Sequence, residues 1–333
     1  MAEPIEASEH RATDGASAAL ADPVAPSTGP VSGESAGLDP RVRLRWLLPA
    51  IASVVALGVA APGGLALLAF LGVVIAVHEA GHLVVARRAG MQPTEFFWGF
   101  GPEVASIEVR GCRYGVRALF LGGYVRLEGM TPSSEVPEGF DESGTYRAAS
   151  HRGRLATILA GPGVNLVSAV VAFTAAGLVD GRTPLGAVGS AFRQVWLVID
   201  ATAWSLWTLG ANLGTYVQAV VDPAGGAEAP VRFLSPVAQA QTSELALSLG
   251  PAVALQWFGI LSAAIGIINL VPLPPLDGGH AVVAGVEGAL RRLRGDRSVT
   301  LDAARLTPVA WVTVVALVVL SVSALVLDLR DLA

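Results

Sequence analysis

The chain has 333 residues, 53% of them hydrophobic and only 15% charged, with a mean hydropathy of +0.58. That is more apolar surface than a soluble globular core takes up, so the chain belongs in a membrane. The formal net charge is -5, with acids in the N-terminal tail and middle loops and arginines beside the apolar runs, which argues against nucleic acid as a partner.

Residues 1–42 mix Ala, Ser, Pro, Gly and acids with almost no large apolar side chains. Such a stretch cannot bury enough surface to offset its ordering entropy, so it reads as a disordered cytoplasmic tail. It is too long and polar for a secretory signal peptide. A helix needs about 20 apolar residues to cross the bilayer core, and four uncharged regions qualify. Trp46–Val77 comes first, divided by Pro62, Gly63 and Gly64 into a hairpin of two helices. Leu155–Val179, Leu245–Leu276 and Leu306–Leu327 follow. The expected fold is an α-helical polytopic membrane protein with four to five transmembrane helices and a small membrane-associated β-hairpin or sheet.

That β region covers about residues 94–128, where Val104–Val109 and Tyr114–Arg126 are β-prone, separated by Gly111 and broken by Gly122 and Gly123. Cys112, the only cysteine, reads as a small apolar filler in a turn; it excludes an intrachain disulfide and a cysteine-rich zinc knuckle. An acidic loop spans residues 131–150. Ala201–Val221 is also long enough to span, but Thr202, Thr208, Asn212, Thr215 and Gln218, with Trp196, Trp204 and Trp207, suit a helix lying in the membrane interface. Residues 183–244 are therefore expected to be extracytoplasmic and interfacial. The domain plan is a tail at 1–42, a membrane core at 43–290, and a basic loop with a C-terminal helix at 291–333.

Basic residues flanking spans stay in the cytoplasm. Arg43 and Arg45, Arg87 and Arg88, Arg152 and Arg154, and the set Arg291, Arg292, Arg294 and Arg297 all share one side if the helices alternate out and back. The N-terminus is then cytoplasmic, in a multi-pass protein of the cell membrane.

His78-Glu79-Ala80-Gly81-His82 places two histidines four apart, so on a helix both imidazoles leave one face and can share a zinc ion. Glu79 is then positioned to take a proton from the water the metal activates and to return it to the leaving amine. Two histidines and a glutamate within an apolar run are costly unless they bind something or react. A catalytic zinc keeps three protein ligands and an open position. Asp277 is the candidate third ligand, the only acid between Glu244 and Glu287. It follows Pro272, Pro274 and Pro275, which should break the helix, and broken backbone at membrane depth belongs where it lines a cavity. Asn165 and Asn269 are buried amides that could bind substrate backbone or serve as interhelical links. His280 reads as helix capping or support for the site, and His151 as a solvated interfacial residue.

With these residues assembled, the chain resembles the site-2 protease family of intramembrane zinc metalloproteases. The resemblance covers about residues 66 to 290. It rests on His78-Glu79-x-x-His82, Gly122-Gly123-Tyr124-Val125, Gly161-Pro162-x-x-Asn165 and the segment from Asn269-Leu270 to Leu276-Asp277-Gly278-Gly279, in that order. It implies one zinc per chain held by His78, His82 and Asp277, catalysis by Glu79, and a substrate strand held by Asn165, Asn269 and the Gly122-Gly123 sheet edge. Gly129-Met130-Thr131-Pro132 is similar to the bacterial branch that cuts anti-sigma factors after an upstream site-1-type protease. The implied partners are such a transmembrane substrate, that protease and the lipid bilayer. The chain departs from the branch between Val179 and Glu244, which is too short and too aromatic for the PDZ domain often inserted there. It also has an extra helix before His78 and lacks a CBS-like C-terminal domain. The competing readings are an inert relative that binds membrane segments without cutting them and, ranked last, a zinc transporter.

Overall fold

A computed structural model describes residues 61–130, 135–222, 228–295 and 299–331. The tail, Arg43, Arg45, Arg297 and the first helix of the expected hairpin lie outside the described residues. Helix α1 (Pro62–Arg88) begins with proline in its first turn, where the missing N–H has no partner to lose. Two long strands follow, β1 (Pro93–Val109) and β2 (Cys112–Leu127). Helix α2 (His151–Val179) is capped by Ser150, whose hydroxyl accepts from the Gly153 N–H. Then come α3 (Pro184–Ala211), α4 (Leu213–Val221), α5 (Pro236–Ser248), α6 (Pro251–Asn269), α7 (Asp277–Arg294) and α8 (Thr307–Asp331).

Helices α1, α2, α6 and α8 are the four among the described residues that are long and apolar enough to cross a membrane. The chain is thus a polytopic helical membrane protein. Two expectations change. Leu245–Leu276 is not one helix: Gly250 takes φ of 103° and Pro251 opens α6, so residues 245–248 end α5. A window defined by absent charge passes over such a break. Ala201–Val221 is likewise cut at Asn212, whose side-chain amide donates to the Thr208 carbonyl at 3.0 Å. The helix before that cut begins much earlier, at Pro184, and packs along α2 and α6. On its outer face Trp196, Trp204 and Trp207 are 65%, 66% and 70% exposed.

Lipid tails are as apolar as leucine, so membrane helices hold together by close packing at small residues. Gly81 of α1 lies against Ala160 and Val164 of α2, and Gly153 against Ala89, making these helices antiparallel. Gly259 of α6 faces the Phe173 ring, and Gly266 faces Asn165 and the Pro162 carbonyl. Ala191 and Val195 of α3 join Ala169, Phe173 and Ala263 in one buried cluster. At one end of the bundle His151 packs on Gly288, and Arg154 of α2 meets Glu287 of α7 at 2.6 Å, both buried. The prediction of a solvated His151 is corrected by that contact.

Strand β1 begins well before its β-prone stretch at Val104, while β2 nearly coincides with its own. Phe96 pairs antiparallel with Val125, and residues 95–98 find further partners at Arg113–Val116, so Phe97 opposes both Tyr124 and Gly115. Cys112 is fully buried at the turn end of β2, and burial pushes its thiol up, away from the reactive thiolate.

Candidate metal centre and active site

The apolar helix α1 carries His78 and His82 one turn apart, and the first residue of α7, Asp277, arrives from the opposite direction. The chain leaves α6 at Asn269, runs through Pro272, Pro274 and Pro275 without regular structure, and re-enters a helix at Asp277. Gly278 permits this return, since a Cβ there would run into the carbonyls of Leu270 and Val271.

His78 Nε2 lies 3.0 Å and His82 Nε2 3.4 Å from Asp277 Oδ2, and the two nitrogens are 3.2 Å apart. His82 Nδ1 is 2.7 Å from the Thr157 carbonyl, which can only accept. That tautomer leaves the Nε2 lone pair of His82 aimed at the other two atoms. Ligands tetrahedrally placed about 2.0–2.1 Å from zinc stand about 3.3 Å from one another, so the triangle fits one ion. Gly161 supplies an independent test: a Cβ there would reach His78 Nε2 at 2.6 Å and come closer still to His82 Nε2. The space beside the imidazoles exists because residue 161 has no side chain. Among the described residues this trio is the one group of histidines and acids able to hold a metal.

Glu79, His82 and Asp277 line a cavity of about 180 Å³, bounded by Gly123, Tyr124 and Val125 of β2 and by Tyr146, Ile158 and His280. Gly123 sits over Glu79, with 3.0 Å between its missing Cβ and Glu79 Cγ. The Tyr124 hydroxyl donates to Glu95 at 2.7 Å. Burial, then that bond, pushes the phenol up to about 12, so it stays protonated. Burial likewise pushes Tyr146 up to about 12 and lowers His280, which keeps a neutral imidazole on the cavity wall.

The candidate site residues therefore fall into two groups. His78, His82, Asp277 and Glu79 come together, with Gly123 beside them. Asn165, Asn269 and Gly122 do not line the cavity. Asn165 lies behind His78; Asn269 donates to the Ile265 carbonyl of its own helix at 3.0 Å; Gly122 is covered by the Phe100 ring. Sequence reasoning missed the Thr157 carbonyl, for which no side-chain signal exists, and the Tyr146 and Ile158 walls, which resemble any other apolar positions.

Two imidazoles and a carboxylate thus meet beside a glutamate, the imidazoles and the glutamate on a helix long and apolar enough to cross a bilayer, and together the trio could hold a metal ion. Residues 66–306 match the model for peptidase family M50, and the chain belongs to that family. It is 37% identical over 129 residues to the zinc metalloprotease Rip1 of Mycobacterium tuberculosis strain H37Rv, covering 36% of this chain and 32% of that protein. The Rip1 of Mycobacterium bovis BCG matches to the same extent. A Brucella suis protein provisionally named a zinc metalloprotease is 26% identical over 316 residues, covering 65% of this chain and 83% of its own length. The chain spans about a third of the Rip1 length it matches.

Proposed function

We propose that this protein is an intramembrane zinc metalloendopeptidase that hydrolyses peptide bonds within or near transmembrane segments of membrane-anchored regulators. The observation that carries the reading is the convergence of His78, His82 and Asp277, with His82, Asp277 and Glu79 lining one cavity. His78, His82 and Asp277 would hold zinc, and the ion, when bound, supplies Lewis-acid polarisation of water and of the scissile carbonyl. Glu79 accepts the proton from the attacking water and delivers it to the leaving amine. The β2 edge at Gly123–Val125 offers backbone groups to which an unwound substrate strand adds, setting the scissile bond over Glu79. Anti-sigma factors already shortened by an upstream site-1-type protease fit this use, because a helix must be freed before it can unwind into a strand. The reading places the protein in the cell membrane, with the N-terminus and the mouth of the site facing the cytoplasm. Arg87, Arg88, Arg154 and Arg291 at one end of the bundle support that orientation.

The test is cleavage of a model transmembrane anti-sigma segment, trimmed on its outer side, by purified protein in detergent. Wild type should cut, a chelator should abolish the product, and Glu79→Gln should lose about 10²–10⁴-fold in rate while keeping its zinc. Equal rates for wild type and Glu79→Gln would overturn the catalytic role. Stoichiometric zinc without cleavage of any trimmed segment would favour an inert binder of membrane helices.

A further inference from the structure

Asn165 is 0% exposed, and its amide Nδ2 stands 3.2 Å from Nδ1 of His78, on the side of the ring away from Asp277. It is pinned there by its own backbone. The Asn165 carbonyl accepts from Ser262 Oγ at 2.9 Å, and a Cβ at position 266 would stand only 3.1 Å from its own, so Gly266 lets the two helices close here. The side chain is not among those that line the cavity holding Glu79.

An imidazole that presents the Nε2 lone pair to a metal carries its proton on Nδ1, and that proton needs an acceptor. His82 meets the requirement with the Thr157 carbonyl. For His78, the residue at that place is Asn165. The two amide orientations differ by a half-turn that exchanges oxygen and nitrogen without moving either position. The other amide atom, Oδ1, is buried without a partner. The neighbour at Nδ1 decides the orientation: once Nε2 is a ligand, the ring's proton sits on Nδ1 and the amide oxygen must face it. We infer that Asn165 is a positioning residue, which accepts the His78 Nδ1 proton and holds that imidazole in its metal-binding tautomer and orientation. The inference rests on the reading of His78 as a ligand and replaces, for Asn165, the substrate-holding role that the family resemblance implies.

The test is zinc affinity in detergent, measured by competition with a chromogenic chelator, for full-length wild type, Asn165→Ala, Asn165→Asp and Ser262→Ala. Losing a hydrogen-bond partner behind a ligating histidine weakens metal binding about 10–100-fold, and that loss is expected for Asn165→Ala. Asn165→Asp keeps an acceptor and removes the donor, so it should bind zinc at least as tightly as wild type. Ser262→Ala loosens the backbone anchor of Asn165 but leaves its amide in place, so any weakening should be smaller than in Asn165→Ala. Should Asn165→Ala fail to fold, Asn165→Leu, of similar size and without an acceptor, takes its place in the comparison with Asn165→Asp. Wild-type affinity in Asn165→Ala, or equal weakening in the aspartate and apolar variants, would overturn the inference. Absence of stoichiometric zinc from wild type would instead overturn the ligand reading itself.

Discussion

At the scale of single residues, the metal centre depends on what Gly161 lacks. Gly161→Ala places a methyl group against both Nε2 atoms, and zinc binding should fall by about 100-fold or more, taking cleavage with it. The fold should survive, since alanine is about 1 kcal/mol better than glycine inside a helix. Zinc content after purification and the thermal unfolding of chelator-treated protein check the two halves of that statement. The trio that meets at the candidate metal centre was legible in the sequence because two histidines four apart share a helix face, and because Asp277 stands alone between Glu244 and Glu287. The direction of a side chain was not legible. Asn165 and Asn269 read alike, as amides in apolar helices, yet one backs His78 and the other bonds its own helix. The Thr157 carbonyl is invisible for another reason, since every residue carries a carbonyl.

Between elements, the position of Asp277 is set by how α7 is anchored. Glu287 of α7 and Arg154 of α2 pair at 2.6 Å with side chains only 5% and 6% exposed, and Glu287 also binds Arg291 and the Leu301 N–H. Removing one member of a buried pair leaves the other charge uncompensated, at a cost of about 3–5 kcal/mol. Glu287→Ala should therefore lower the unfolding midpoint in detergent and weaken zinc binding, because Asp277 is on the first turn of the same helix. Replacing both members, as in Arg154→Leu with Glu287→Leu, should recover most of the stability. A different element interaction controls the substrate edge. Gly123→Val puts carbon atoms against Glu79 Cγ and the Phe97 carbonyl, and should reduce cleavage while zinc affinity stays near wild type. The β region was legible from its residue types, but not the double pairing of residues 95–98 with Arg113–Val116 and with Gly123–Arg126, which is a long-range outcome. The break at Gly250 was present in the sequence and hidden by counting charges instead of glycine and proline.

For the whole molecule, three lone-pair-bearing atoms gathered within 3.4 Å of one another repel unless a cation lies among them. Chelation should therefore lower the melting temperature of the entire bundle, because α1, α2 and α7 meet at that point. Zinc added at about 100 times its dissociation constant returns about 2.7 kcal/mol. The same upward shift should appear in Glu79→Gln and should be absent in Asp277→Ala, which separates ligand from catalyst by calorimetry alone. Among the described residues, the four long apolar helices and their order were readable from the sequence because water-free surroundings demand long uncharged stretches. The placement of α3 along α2 and α6 was not, since it depends on alanines such as Ala191 meeting Ala169 and Ala263.

The burial of Cys112 makes the chain a ready background for site-directed labelling. A thiol reagent should leave folded wild type untouched and mark a cysteine introduced at an exposed loop position such as Glu138 with little competition. Cys112 itself then acts as a clock for the sheet. It should react only as fast as the β1–β2 turn comes apart, so the labelling rate with and without a bound substrate segment measures how far the sheet must loosen to admit one.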